Sequence, residues 1–153
     1  MNHPARVASL SDAPALLDLV REHAAFERGM ASLSLSDLGT ILSAASPPTR
    51  LLVAESDGTL IGYAAVTFDF SLWRASRYGH LDCLFVASSA RGRGAGRKLF
   101  EAAAGFARAE GADWLEWQTP AWNSEAISFY QRAGALQATK ERFAMPFPVL
   151  FTG

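Results

Sequence analysis

Six consecutive residues, Arg91-Gly92-Arg93-Gly94-Ala95-Gly96, restrict the fold more than any other part of the chain. They follow the apolar run Leu84-Phe85-Val86. After them Leu99, Ala103, Phe106 and Ala107 recur at helical spacing. A strand therefore turns into a helix here. Glycines in such a turn let the backbone approach an anion closely, and the free N–H groups of the first helical turn point at it. The helix dipole adds about half a unit of positive charge. Arg91, Arg93 and Arg97 add full charges. The segment reads as a pyrophosphate site or, taken alone, as a tight strand-to-helix turn with no ligand.

The flanking residues narrow the choice. A P-loop needs Gly-Lys followed by Ser or Thr, whereas Gly96 is followed by Arg97-Lys98-Leu99. A dinucleotide fingerprint needs Gly-x-Gly-x-x-Gly, and the spacing here is Gly-x-Gly-x-Gly. Asp113 lies about 20 residues on, where a ribose-binding acid would be sought. It opens a strand, however, and the glycine loop follows hairpins and not a first βαβ unit.

The rest of the chain supplies the frame. Residues 6–10 read as a strand, and Ser11, Asp12 and Pro14 suit a helix start. Leu16, Leu17, Val20 and Ala24 form its apolar stripe. A second helix is expected over 36–45, with Leu38, Ile41 and Leu42 inward, ended by Pro47-Pro48. Strands at 51–54 and 60–70 flank Asp57-Gly58, a hairpin signal. Further strands are expected at 78–86, 114–119, 135–139 and 142–145. Asn123 caps a helix that Gly134 closes. The resulting class is α/β, with a mixed central sheet of about seven strands and helices on both faces.

With 153 residues, no internal repeat and no linker, the chain is expected to form one domain over 1–153. A net charge of −1 argues against nucleic acid as a partner. The single cysteine, Cys83, permits no internal disulfide and offers no metal-ligand spacing, which fits a cytoplasmic protein without metal. No apolar run approaches the roughly 18 residues needed to span a bilayer, and no signal peptide is visible.

Leu84-Phe85-Val86 followed by the glycine loop resembles the acetyl-CoA signature of the GNAT acetyltransferases, Arg/Gln-x-x-Gly-x-Gly/Ala after a strand. Asn123, Ala126, Phe129-Tyr130 and Gly134-Ala135 resemble the family's second signature, in the right order and spacing. The element order matches a single GNAT domain over nearly the full chain. Residues 19–27, 81–96 and 122–135 look most like the diamine (spermidine/spermine-type) acetyltransferases. Glu27 matches an acid of that group's substrate site, and Asp82 stands where the group has Glu. Cys83 and Ser71 stand where it has Asp. Two carboxylates fewer point to a short diamine or a lysine-like amine as acceptor, in preference to spermine.

The resemblance implies roles. Acetyl-CoA is the co-substrate, held by Arg91, Gly92, Arg93, Gly94, Ala95, Gly96 and Arg97 together with Asn123 and Phe129. Its pantetheine pairs like an added strand with the backbone around Leu84, Phe85 and Val86. A backbone N–H there can serve the developing oxyanion. Tyr130 is the candidate general acid, since a phenol stays protonated at neutral pH and can protonate the leaving sulfur. The alternative for Tyr130 is core packing, because it shares a helical stripe with Ala126 and Ala133.

Asp82 is the candidate for taking the amine proton or holding the ammonium group. On an alternating strand it would share a face with Tyr78, His80, Leu84 and Val86. Glu27, Trp73 and His80 are candidate acceptor contacts, with a solvated helix charge as the alternative for Glu27. His23 falls on the inward side of its helix and reads as a core histidine, and Cys83 reads as core packing. The apolar tail, Phe147-Pro148-Val149-Leu150-Phe151, with the likeness to dimeric acetyltransferases, suggests a homodimer. Two other functions fit the same residues: acetylation of protein N-termini or lysines, and a silent acyl-CoA-binding module.

Overall fold

Asp57 and Gly58 take φ of 50° and 76°. Positive φ at both central residues is the geometry of the two-residue turn that matches hairpin twist. They join β2 (Arg50–Ser56) to β3 (Thr59–Ser71). A second hairpin leads from β3 into β4 (Ser76–Val86). β1 (Ala5–Val7) lies antiparallel to β2, and β5 (Leu115–Glu116) lies parallel to β4. The sheet order is β1-β2-β3-β4-β5, antiparallel except for the last pair. This computed structural model describes residues 4–148.

Strand alternation sorts the apolar residues onto two faces. Leu52, Ala54, Ala64, Val66 and Leu81 pack with Leu99, Ala103 and Ala107 of α3 (Ala95–Ala109). The three α3 residues are spaced by four, so they form one stripe along the helix. On the other face Leu51, Val53, Tyr63, Ala65 and Phe85 pack with Leu16, Leu17 and Leu19 of α1 (Ala13–Phe26) and Leu38 of α2 (Leu35–Ser43). The start of α2 is fixed by a reciprocal cap. The Asp37 N–H donates to Ser34 Oγ at 3.1 Å, and the Ser34 N–H donates to the Asp37 carboxylate at 2.8 Å. Ahead of α1, Arg6 makes a two-pronged ion pair with Asp12 at 2.7 and 2.9 Å, tying β1 to the helix start.

The chain divides into two units after Gln118. The sheet, α1, α2 and α3 belong to the first. In the second, Asn123 Oδ1 accepts from the Ala126 N–H at 3.2 Å and caps α4 (Ser124–Arg132). Gly134, with φ of 89°, ends it.

Among the described residues the sheet has five strands, not about seven. Residues 135–139 and 142–145, expected as the last two, are irregular and mostly exposed. Their apolar alternation lacks a ladder partner, and alternation alone does not hold a strand. The strand expected over 114–119 shortens to Leu115–Glu116.

Candidate active site

The glycine loop folds as a cradle. Gly92 and Gly94 take left-handed φ of 76° and 85°, and a Cβ on either would meet no atom within 4 Å. The space in front of both is open to an approaching group. Gly94 is also the N-cap of α3, and the first helical bond runs from the Lys98 N–H to its carbonyl at 3.1 Å. The N–H groups of Ala95, Gly96 and Arg97 therefore have no acceptor within the helix. Arg97 bonds Glu101 one turn on at 2.8 Å. The Nε of Arg91 donates to the Val86 carbonyl at 2.9 Å, and its guanidinium lies over the rings of Phe26 and Phe85, 4.6 and 5.3 Å away. That side chain ties the loop to β4. Arg93 is exposed. The cradle fits the pyrophosphate of acetyl-CoA.

β4 carries the feature that a regular strand would lack. Ala65 pairs with Cys83 and Val66 with Leu81, so Asp82 has no partner on β3. One extra residue makes a β-bulge, which bends its strand and resets the alternation. Leu81, Leu84 and Val86 consequently pack toward α3, while Cys83 and Phe85 pack toward α1. Asp82 and His80 therefore do not share a face with Leu84 and Val86, as uninterrupted alternation had implied.

The bulge also sets which backbone groups are free. The Ala87 N–H donates to Ile61 on β3 at 2.8 Å. By alternation Val86 and Leu84 turn their N–H and C=O groups to the opposite edge, where Arg91 Nε donates to the Val86 carbonyl. β5 pairs with that edge only at Gly79 and His80. Among the described residues no strand pairs with that edge beyond them.

On the α1 face the same bend gathers a chain of polar groups. The Tyr63 hydroxyl lies 2.7 Å from His23 Nδ1, and His23 Nε2 lies 3.3 Å from the Glu27 carboxylate. The His23 ring stacks on Phe85 with centroids 4.8 Å apart and planes 15° apart. The Cys83 thiol points at the Asp82 carboxylate at 3.8 Å, and His80 Nε2 lies 3.9 Å from the other Asp82 oxygen.

Burial favours the neutral forms of His23, Tyr63 and Cys83. It pushes His23 below the usual histidine range; Arg91 acts the same way, whereas Glu27 and Asp82 oppose it. Burial first, then the Cys83 thiol, raises Tyr63. Burial and Asp82 push the Cys83 thiol up to about 12. Cys83 is thus a thiol at neutral pH and no nucleophile. With the neutral ring's proton on the nitrogen that faces Glu27, Nε2 lies within ion-pair distance of the carboxylate and Nδ1 accepts from the Tyr63 hydroxyl.

Of the residues singled out in the sequence, the structure brings Glu27, His80 and Asp82 to this cluster. It does not bring Trp73, which is 99% exposed in the turn after β3. That turn lies six residues along the strand from Asp82, roughly 20 Å at strand rise. Asn123, Phe129 and Tyr130 belong to the second unit; the Phe129 and Tyr130 rings meet edge to face at 5.3 Å. Tyr63 was missed. Its signal was present: a single tyrosine in the small and aliphatic run 60–66, where a buried hydroxyl requires a partner.

Comparison with known proteins matches residues 15–135 to the acetyltransferase (GNAT) family. An uncharacterized N-acetyltransferase, YhfO, of Bacillus subtilis (strain 168) is 33% identical over 129 residues, covering 84% of this chain and 87% of that protein. Thialysine N-epsilon-acetyltransferase of Mus musculus is 28% identical over 152 residues, covering 93% of this chain and 89% of that one. An integron cassette protein from the mobile metagenome of V. cholerae superposes with a TM-score of 0.77 at 25% identity, covering 97% of this chain and 94% of that one.

Proposed function

The chain belongs to the GNAT acetyltransferase family and is an acetyl-CoA-dependent N-acetyltransferase; from that premise we propose that it transfers the acetyl group directly to a primary amine of a small cationic acceptor, a short diamine or a lysine-like amine. One observation carries the acceptor class: two carboxylates, Glu27 and Asp82, bound the neutral His23–Tyr63–Cys83 chain on the α1 face. The similarity to a thialysine N-epsilon-acetyltransferase supports the same class. We take 1–153 as one acetyltransferase domain, because the family match runs through both units of the chain.

In this reading acetyl-CoA supplies an activated acetyl thioester. The N–H groups of residues 92–97 hold its pyrophosphate, with charge from Arg91, Arg93 and Arg97. The β4 edge that Leu84 and Val86 present on either side of Phe85 receives its pantetheine arm. Asn123 and Phe129 are assigned to the cofactor by resemblance alone. Asp82, whose side chain is 60% exposed, takes the amine proton or holds the ammonium. His80 assists it, and Glu27 binds the acceptor's second charge. Tyr130 donates the proton to the leaving sulfur.

We further propose a cytoplasmic homodimer. Among the described residues no helix is long and apolar enough to cross a membrane. Phe143 and Phe147 are exposed apolar residues of the tail; Val149, Leu150 and Phe151 lie outside the described residues. A monomer mass by light scattering at micromolar concentration contradicts the dimer.

Release of free CoA thiol on adding a panel of amines tests the activity. Short diamines and lysine analogues should give higher kcat/KM than spermine. A preference for spermine, or release with none of the amines, refutes the acceptor assignment. Tyr130→Phe should lower kcat by roughly 10²–10³ with acetyl-CoA affinity little changed. An unaltered kcat makes Tyr130 a packing residue.

A further inference from the structure

His23 is read from sequence as a core histidine, yet both of its ring nitrogens are engaged. Its side chain is 13% exposed. Nδ1 meets the Tyr63 hydroxyl from the sheet, Nε2 meets Glu27 one helical turn on, and Phe85 stacks beneath the ring. Glu27 itself is the residue that caps the C-terminal end of α1, with its side chain 36% exposed. A glutamate at a helix end in water samples many rotamers, and ordering it on binding costs free energy. Here the imidazole links it to a sheet residue that is 2% exposed.

We propose that His23 is a positioning residue for the acceptor, holding the Glu27 carboxylate through Nε2 and so setting how tightly the acceptor's cationic end is bound. The inference rests on the reading of the acceptor as a cationic amine and adds the device that orders its binding group. His23 acts through Glu27 and does not itself meet the reacting atoms.

The groups around the ring make this contact pH-sensitive. Glu27 faces it from its own helix, Tyr63 from β3, Asp82 and Cys83 from β4, and Arg91 from the glycine loop. While neutral, the ring sits 3.3 Å from the Glu27 carboxylate and leaves its charge available to an ammonium group. Once protonated, the ring pairs with Glu27 and cancels that charge. Affinity for a dication should therefore fall as pH drops through the titration of His23. Affinity for an amine with an uncharged tail should not follow it.

The test is a double-variant cycle on the full chain, with 1,3-diaminopropane as probe, by calorimetry without acetyl-CoA. His23→Leu and Glu27→Gln should each weaken binding about tenfold, the scale of one charge-assisted hydrogen bond. The double variant should bind no more weakly than Glu27→Gln alone. His23→Gln, which keeps a donor toward Glu27, should recover most of the affinity. Additive losses, an unaffected His23→Leu, or no binding to the wild type overturns the proposal.

Imidazole ¹⁵N NMR on the wild type needs no variant to fold. Saturation with the diamine should move the His23 Nε2 resonance, and an unmoved resonance also overturns the proposal. Transfer assays separate this from the reading beneath it. A non-additive cycle without CoA release from any amine leaves the positioning role standing and fails the acetyl-acceptor reading; CoA release with an additive cycle does the reverse.

Discussion

On the α3 face of the sheet the fully buried residues are alanine, leucine, valine and isoleucine, and none of them titrates. On the α1–α2 face the buried Tyr63 and Phe85 meet His23 and Cys83, with Glu27 and Asp82 at the rim. The first arrangement gives close packing, with alanines letting α3 sit near the strands. That fixes the position of the helix start, and hence of the glycine cradle. The second arrangement places ionisable groups in a partly dry setting, where each must be hydrogen-bonded to be tolerated. One face holds the glycine cradle in place by apolar packing. The other holds chemistry in place by satisfied polar contacts. Asp82 is where they part, since its bulge turns Leu84 and Val86 to one face and Cys83 to the other.

Breaking the apolar face should cost most. Leu99 is completely buried at the centre of the α3 stripe. Leu99→Ala should destabilise by about 3 kcal/mol, through lost burial and a residual cavity. For a chain of this size that lowers Tm by roughly 6–12 °C. A loss below about 1 kcal/mol would mean that the face repacks freely and does not fix the helix.

The polar face should give a smaller loss with a different signature. Tyr63→Phe keeps the ring and removes the donor to His23 Nδ1. It should destabilise by about 1–2 kcal/mol, the cost of a buried group left without its partner. It should also move the His23 titration measured by NMR. A stability loss with an unmoved His23 titration would separate the two residues.

Acid sharpens the contrast, since only one side of the sheet carries buried titrating groups. Arg6, followed by bonds from Ser9, holds the Asp12 carboxyl at about 2, below its ordinary value. A depressed carboxylate binds its proton later in the folded than in the unfolded chain. Its stabilisation is thus present above the ordinary carboxylate range and is lost as pH falls toward about 2. His23 acts earlier and in the same direction: buried neutral, it withholds a proton that the unfolded chain accepts below about 6.5. Asp12→Asn should cost about 1 kcal/mol at pH 7, after allowing for the screening of the partly exposed Arg6. It should also flatten the acid limb between about pH 4 and 2. Chemical denaturation across pH checks both, and an unchanged acid limb contradicts the assignment.

The parts legible in the sequence are those written by local rules. Asp57-Gly58 names its turn, the period of Leu99, Ala103 and Ala107 names its helix, and Gly94 marks where that helix starts. The bulge at Asp82 was not legible, because it exists only as a mismatch between β4 and β3. A period-two reading of 78–86 assumes an unbroken ladder, and so it put Asp82 on the wrong face relative to Leu84. Tyr63 and His23 are 40 residues apart and meet only when α1 lies on the sheet. Residues 135–145 show the converse error: a strand-like pattern with no strand to pair with.

We propose that the two faces serve separate halves of the reaction, the cofactor at the glycine cradle and the acceptor at the carboxylates. Calorimetric titration of acetyl-CoA into the wild type, Gly94→Val and Glu27→Gln tests it most directly. Gly94→Val sets a β-branched residue at a left-handed φ of 85° and fills the space in front of the cradle. Acetyl-CoA binding should be lost in Gly94→Val and should stay within about twofold of wild type in Glu27→Gln, a change smaller than one ordinary hydrogen bond. Undiminished binding to a folded Gly94→Val, or equal losses in the two variants, would contradict it.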